Sequence, residues 1–509
     1  MVREELDGDR RPHRWVGVAG SWWLLALVVA AVYLLSPVRS ATTHDPAFVP
    51  MTAHALVHHG SLSLDDFGPD RLVGHPIVVT DGSLTPGTVV RDPAELRSVL
   101  ERPGVSVLDY FPWTSALFAV PGVVVTDAVA AVAGTPDSAR LIRDGNFELI
   151  HTASASFVVI GAVLLFRATA LIVLGGGDRR RRLLANGAAL VFALGTSAYS
   201  TASRALWQHT PSLLLLTLVL YLAVLIDRTD PDGDQQRPPS VVDGEVVALG
   251  ASAVGAAIVR PTNLLVAVLL IGWVIIRRRA SIRSTVLSVA VGAAVVSVAF
   301  VVCNLVLLGE PLPAYYSSGR ILFGDWFGEA VAANWISPSR GLLVASPILV
   351  LAVPGAVISW REPRHRPLVV ALGLSVLAVT ISVSAFPHWW AGHSFGPRFM
   401  TEAVPQLAVL ALPAVDVVFD AGRLRRTVPH RRRAWGAVVV VVVLSVWSIA
   451  FHAAGSVAGV AGCWNIYPVD VDRDPGRVWS VLDAQVLEPV HRLLDADRRA
   501  AEDGVCLSR

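Results

Sequence analysis

The stretch His388-Trp389-Trp390-Ala391-Gly392-His393-Ser394-Phe395-Gly396-Pro397-Arg398 lies between two apolar runs, residues 367–386 and 399–419. A helix needs about 20 apolar residues to cross about 30 Å of hydrocarbon, so this stretch reads as a turn at a membrane surface. A connecting turn needs few special residues. This one holds two Trp, two His, two Gly, a Pro and an Arg. Trp favours the membrane–water interface, and Gly and Pro fix an irregular backbone there. Arg398 offers a forked donor suited to phosphate or carboxylate. The plainer alternative is an aromatic belt with a stray arginine.

Comparable apolar runs recur at 16–36, 157–173, 183–202, 211–226, 246–259, 262–276, 285–308, 342–360 and 434–454. Only 16% of the 509 residues are charged. Together these features predict an all-α polytopic membrane protein of about 11 transmembrane helices, in which frequent Gly and Ala allow close helix packing. All 42 basic residues are arginine. They divide among short loops, which excludes a basic nucleic-acid surface.

The arginine groups at 10–14, 179–182, 277–283, 361–366 and 423–433 belong on the cytoplasmic side by the positive-inside rule. Strict alternation from the C-terminus satisfies the last four. It puts residues 203–209, the Arg260-Pro261 junction, 310–340, 388–398 and the tail after 454 outside. The N-terminal group fits if one apolar segment does not cross. Residues 111–134, interrupted by Pro121-Gly122 and carrying Asp127, are read as that segment, an interfacial or re-entrant helix. Twelve spans, or a misplaced 179–182 group, is the alternative count. The expected organisation is a cytoplasmic N-terminus (1–15), a first span (16–37) read as an uncleaved anchor, and an outer loop (38–148). A helical bundle (149–454) and an extracytoplasmic tail (455–509) with a helix over 477–501 follow. Residues 230–243 read as a flexible linker. The chain shows no internal repeat and no nucleotide-phosphate loop, since Gly175-Gly176-Gly177 lacks the following Lys and the preceding strand.

The outer face collects the ionisable groups. Asp45, preceded by His44, follows the first span. Arg204 and His209 join two spans, Arg260 sits at a hairpin tip, and Arg320, His388 and Arg398 lie in outer loops. Ionisable groups at membrane depth are costly and are functional candidates by default. Several cations with one early carboxylate suit an anionic, membrane-embedded ligand. Bland readings stand beside this one: Arg398 and Glu402 are four apart and can pair with each other, and His209 can serve as a local cap. Asp65-Asp66 could ligate a divalent ion, but reads first as a solvated pair.

This pattern resembles the GT-C superfamily of polytopic glycosyltransferases, most closely the dolichyl-phosphate-mannose protein mannosyltransferase and aminoarabinose-transferase-like branch. The matching pieces are Thr43-His44-Asp45-Pro46 after the first span, the amphipathic stretch 53–62, and Tyr110-Phe111-Pro112-Trp113. Further along come Tyr199-Ser200 with Trp207-Gln208-His209, Arg260-Pro261-Thr262, residues 337–342, and Trp389 to Arg398 with Ala391 where a Gly is usual. Some relatives carry an acidic pair where this chain has Arg204 and His209, which argues against assigning a metal. The resemblance implies a cell-membrane hexosyl- or pentosyltransferase that moves a sugar from a polyprenyl-phosphate donor to an extracytoplasmic lipid, glycan or protein acceptor, with inversion. It implies Asp45 as general base and Arg260, Arg398, Arg204 and Arg320 on the donor phosphate. His44, His209, His388, Trp390 and His393 are the expected substrate contacts, and no cofactor is firmly implied. The alternative is a lipid-linked glycan flippase or transporter. That class predicts charged mid-span faces and repeated halves, neither of which is clear here.

Three cysteines remain. Cys303 lies in the 285–308 run as a small apolar filler. Cys463 and Cys506 flank the tail, whose outer placement favours a bridge between them. Closing a loop of about forty residues would stabilise the tail by roughly 3–4 kcal/mol. Non-reducing mass spectrometry is expected to find a Cys463–Cys506 peptide; alkylation of both thiols without reductant would refute it.

Overall fold

Hydrocarbon offers no water to backbone groups, so a spanning segment must satisfy them internally, as helix. The structure, a computed structural model, describes residues 19–36, 46–80, 88–229, 242–317, 322–420, 431–457 and 459–500. Its main helices are α1 (Ala19–Leu35), α2 (Val49–His59), α3 (Pro93–Leu100), α4 (Val120–Ala133), α5 (Glu148–Val173), α6 (Arg179–Leu194), α7 (His209–Thr229) and α8 (Gly244–Val259). They continue with α9 (Asn263–Arg277), α10 (Ile282–Leu308), α11 (Phe327–Ile336), α12 (Ala352–Trp360), α13 (Arg366–Ser384), α14 (Val404–Phe419), α15 (Arg431–Val457) and α16 (Glu488–Leu494).

Among the described residues six helical segments are long and apolar enough to cross a membrane: Glu148–Val173, His209–Arg228, Arg279–Leu308, Pro363–Ser384, Arg398–Phe419 and Trp435–Val457. Shorter apolar helices, including Gly244–Val259 and Asn263–Arg277, fill the bundle between them. The chain is a multi-pass, helical membrane protein. Its largest core joins α1, α5 to α9, α13 and α14 through residues such as Val163, Phe166, Phe192, Leu220, Trp273 and Met400. On α10 and α15 the outward residues are large and apolar, with Val295, Val298, Val443 and Val446 each about 60% exposed. Such a surface is covered by lipid rather than water.

Several runs differ in detail from the sequence reading. Residues 342–360 do not form one helix: a single α-helical turn (Leu342–Ala345) stops at Ser346 (φ −127°) before Pro347, a 3-10 segment follows, and the α-helix resumes in α12. Pro347 lacks an N–H and disfavours helix at the residue before it. The 183–202 run ends its α-helix at Leu194 and closes with a π-helical turn, Ala198–Ala202. α4, of 14 residues, extends about 21 Å, short of the hydrocarbon thickness. The expected helix over 477–501 holds only in its second half, as α16 and a helical stretch over 496–500; before them come two 3-10 turns. The reason is Arg477, whose buried guanidinium holds the carbonyls of Trp464 and Val469 and the Asp483 carboxylate, and so ties an irregular backbone in place.

Between α1 and α5 the chain forms a cap with its own core, including Phe48, Met51, Leu64, Ile77, Leu96 and Ile142. A three-stranded antiparallel sheet, ordered β2-β1-β3, lies in it: β1 (Pro76–Val79) pairs with β2 (Thr88–Val89) and β3 (Val107–Asp109). An all-α chain would contain no such sheet. Asp65, one of the two neighbouring acids, accepts from Val107 N and Ser106 Oγ at 2.8 Å each. Asp66 pairs with His59 at the surface, 3.1 Å away.

At one end of the bundle the arginine-rich termini pair with acids, Arg180 with Asp416 at 2.7 Å and Arg278 with Asp243 at 3.0 Å. α8 and α10 meet backbone to backbone. A Cβ on Gly292 would lie 1.9 Å from the Val247 carbonyl oxygen, and one on Gly250 would lie 2.3 Å from that of Val289. Gly292→Leu is therefore expected to destabilise the protein by about 1–3 kcal/mol or more, seen as a lower unfolding midpoint in detergent. Gly272→Leu, where nothing lies within 4 Å, serves as the control and should leave that midpoint unchanged.

Candidate functional site

The helix ends opposite the arginine-rich termini carry a continuous polar cluster. It begins where α6 gives way to the turn at 198–206. Tyr199 stacks on Tyr33 of α1 at 5.5 Å, and its hydroxyl bonds Ser36 Oγ at 2.6 Å. Arg204 is buried in that turn. Its Nη2 donates to the Tyr33 carbonyl at 2.7 Å and its Nε to Ser203 Oγ at 3.0 Å, while Nη1 has no hydrogen-bond partner. His151 of α5 accepts the Leu206 N–H on Nδ1 at 3.0 Å, so its Nε2–H donates to the Pro46 carbonyl at 2.6 Å. Both described flanks of position 45, Ser36 and Pro46, are thus bonded to residues that hold the same turn.

The second part is ionic. His209 opens α7, Arg260 caps the end of α8 in an extended conformation, and Glu402 lies just before α14. Arg260 Nη1 and His209 Nδ1 approach one Glu402 oxygen, Oε1, at 2.7 and 2.9 Å. The other oxygen, Oε2, has no hydrogen-bond partner. Glu402 thus turns to Arg260 and His209, and the local pairing with Arg398 that their spacing allows is not what orients it. The physical reason is that residues 398–403 form a 3-10 helix, whose three residues per turn carry position i+4 off the face of position i. The Arg398 guanidinium lies 4.3 Å over the Trp207 ring and 5.3 Å from Phe399, and Arg260 flanks that same Phe399 ring at 5.7 Å. Among the described residues, Arg260 and Arg398 flank the Phe399 ring beside the one carboxylate Glu402, so the mostly buried site is rich in cationic donors, which suits an incoming anion.

The third part is the loop 388–398. Arg340, fully buried, donates to the Trp390 carbonyl at 2.8 Å, the Gly392 carbonyl at 3.1 Å and Asn465 Oδ1 at 2.8 Å. It also bonds Gln485 Oε1. Gln485 in turn donates to the carbonyls of Ser394 and Ala461. Ala391 is held at φ +67°, a left-handed conformation that Gly adopts freely and Ala does not. Its carbonyl accepts from Arg398 Nη2 at 2.8 Å. Trp390 and His393, expected as substrate contacts, bond the tail through Asp472 at 2.7 Å and Asp470 at 2.9 Å. Burial raises the Asp470 carboxyl, but the His393 bond and neighbouring donors hold it below the usual carboxylate range. His388 is exposed, with its ring 5.1 Å from Trp390.

Arg204, His209, Arg260 and Arg398 are therefore gathered at one end of the bundle. His44, Asp45 and Arg320 lie outside the described residues. Near the last, Tyr315 donates to Gln208 Oε1 at 3.0 Å and packs on Tyr110 at 5.7 Å, so the 310–317 segment borders the same mouth. Cys463 is disulfide-bonded and Cys303 is a free thiol; Cys506 lies outside the described residues. Glu402, Trp207, Arg340 and Gln485 were not singled out from sequence as site residues, although Trp207 and Arg340 lie inside motifs that were.

No family model and no curated protein sequence matches this chain. Solved structures do. The Archaeoglobus fulgidus oligosaccharyltransferase, tethered through a disulfide to an acceptor peptide containing the NVT sequon, aligns with a TM-score of 0.52 at 13% identity, covering 90% of this chain and 59% of that one. The same organism's AglB, in complex with an inhibitory peptide and a dolichol-phosphate, gives 0.48 at 12% identity over 92% and 59%. ArnT from Cupriavidus metallidurans, bound to undecaprenyl phosphate, gives 0.45 at 15% identity over 96% and 79%. The chain spans 59% of the length of the oligosaccharyltransferase structures, and the likeness is one of fold.

Removing the shared carboxylate tests the cluster. Glu402→Gln removes the carboxylate that Arg260 and His209 share and is expected to cost about 3–5 kcal/mol. Arg260→Gln added to it should restore part of that loss in a double-mutant cycle. Simple additivity of the two changes would show that the pair is not coupled.

Proposed function

We propose that this chain, a polytopic membrane protein of the GT-C fold, is a glycosyltransferase that moves a sugar from a polyprenyl-phosphate donor to an acceptor on the extracytoplasmic side. The observation that carries this reading is the Arg260–Glu402–His209–Arg398 cluster, rich in cationic donors and mostly buried at the mouth of a helical bundle. A polyprenyl-phosphate sugar cannot leave the bilayer, so its enzyme must present cations at the lipid–water boundary. By the positive-inside rule the arginine-rich termini face the cytoplasm, and the cluster, at the opposite helix ends, faces out.

The reaction is a single displacement. The acceptor hydroxyl oxygen forms a bond to the anomeric carbon as the bond from that carbon to the donor phosphate oxygen breaks, with inversion. The proton goes to the Asp45 carboxylate, a step that general-base catalysis accelerates by typically ~10²–10⁴-fold. The departing phosphate gathers negative charge, and arginines held in advance stabilise it without reorganising. Arg260 and Arg398 are assigned that role. The free Nη1 of Arg204 and, from the loop after α10, Arg320 would add donors. Glu402 holds Arg260 and His209 in place in the resting site. His44, His209 and His388 are assigned to the substrate side. Trp390 and His393, tied to tail carboxylates, shape the loop that covers it.

In proteoliposomes with a labelled polyprenyl-phosphate sugar, the wild-type chain should release polyprenyl phosphate, and Asp45→Asn should lose about 10²–10⁴-fold while inserting normally. Wild-type turnover by Asp45→Asn would refute the base assignment. Arg398→Lys replaces a bidentate fork by a point charge and should lower kcat/KM by on the order of 10- to 100-fold. Movement of intact donor across the bilayer without phosphate release would favour a flippase instead.

A further inference from the structure

His54 and His58 lie four residues apart on α2 and so share one face of the helix, with ring centroids 4.3 Å apart. Facing them is Asp127 of α4, whose Oδ2 lies 2.9 Å from His58 Nε2. One residue orients both sides of the cluster. The Ser138 N–H donates to Asp127 Oδ1 at 2.7 Å, and the Ser138 hydroxyl bonds His54 Nδ1 at 2.8 Å. With Nδ1 engaged, His54 keeps Nε2 for a ligand. One ligating atom from each of the three residues lies within 4.8 Å of the others. They line an open cavity of about 760 Å³ that His59, Asp66 and Arg143 also border.

We propose that His54, His58 and Asp127 bind a divalent transition-metal ion of the zinc class, in the cap and separate from the Glu402 cluster. Two imidazoles and one carboxylate are a nitrogen–oxygen donor set that suits zinc, whereas magnesium and calcium take oxygen ligands. Binding draws the donor atoms in to about 2.0–2.2 Å from the ion. The His58 and Asp127 side chains, 40% and 22% exposed, have the freedom to close that distance, while buried His54 supplies a fixed point. The ion takes the place of the proton between His58 and Asp127. Ser138 acts as a positioning residue, since an outer hydrogen bond that fixes a ligating imidazole typically contributes 10–100-fold in metal affinity. Three protein ligands leave the fourth position open to the cavity. The bound ion also joins α2 to α4, and so anchors the helix that starts four residues after Asp45.

The full chain, purified in detergent and stripped with a chelator, is titrated with zinc chloride alone and, in parallel, with cobalt(II), whose visible absorption reports a tetrahedral site. The same titrations are run on His58→Gln and Asp127→Asn. Both positions are partly exposed, and each variant is checked for the wild-type unfolding midpoint without metal. The proposal predicts one equivalent of zinc whose affinity falls at least tenfold in each variant, with the tetrahedral cobalt band lost and the zinc-induced rise in unfolding midpoint abolished. It also predicts weaker binding in Ser138→Ala. A wild-type chain that stays metal-free at 100-fold molar excess of zinc overturns it. So does either variant that binds within tenfold of wild type, as it would if the carboxylate–histidine group at His393 and Asp470 held the ion instead.

Discussion

A single carboxylate governs the mouth of the bundle. Glu402 is 2% exposed, and one of its oxygens receives Arg260 from the end of α8 and His209 from the start of α7. The consecutive helices α7 and α8 and the distant α14 are thereby fixed at their tips. A buried ion pair gives little net stability, because desolvation offsets most of its attraction. What it provides is position. Two arginines share the Phe399 ring, and Glu402 holds one of them, Arg260, in place before any anion arrives.

Arg340 does the same for the loop opposite. Its guanidinium holds two loop carbonyls and two tail side chains, and the tail closes over the loop through Trp464, Trp389 and Trp390. That network keeps Ala391 in a left-handed conformation costing on the order of 1–2 kcal/mol for an L side chain. The strain persists because the surroundings over-determine it, and it aims the Ala391 carbonyl at Arg398. Loop, tail and helix mouth therefore form one preorganised assembly.

Much of this was legible in the sequence because a bilayer permits few solutions. Runs of about 20 apolar residues must be helical, and 285–308, 367–386, 399–419 and 434–454 all proved so in their greater part. Breaks within runs were less visible. Ser346-Pro347 interrupts one predicted span, and the turn at 198–202 shortens another. The gathering of Arg204, His209, Arg260 and Arg398 at one end followed from alternation alone. Their partners did not. Glu402 to His209 spans 193 positions and Arg340 to Gln485 spans 145, and no spacing rule reaches so far. The i,i+4 expectation for Arg398 and Glu402 assumed α-helical pitch where the chain winds as 3-10. The tail reading missed a long-range tie of another kind: buried Arg477 reaches back to the carbonyls of Trp464 and Val469 and forward to the Asp483 carboxylate.

The central claim is that the cluster around Glu402 receives the phosphate of a polyprenyl-phosphate sugar. A diazirine placed beside the phosphate of a polyprenyl phosphate, photolysed in proteoliposomes and mapped by mass spectrometry, tests it directly. Labelling is predicted on peptides carrying residues 199–209 and 390–402. Labelling confined to the opposite ends of the bundle, at residues 179–186 and 412–419, would contradict it.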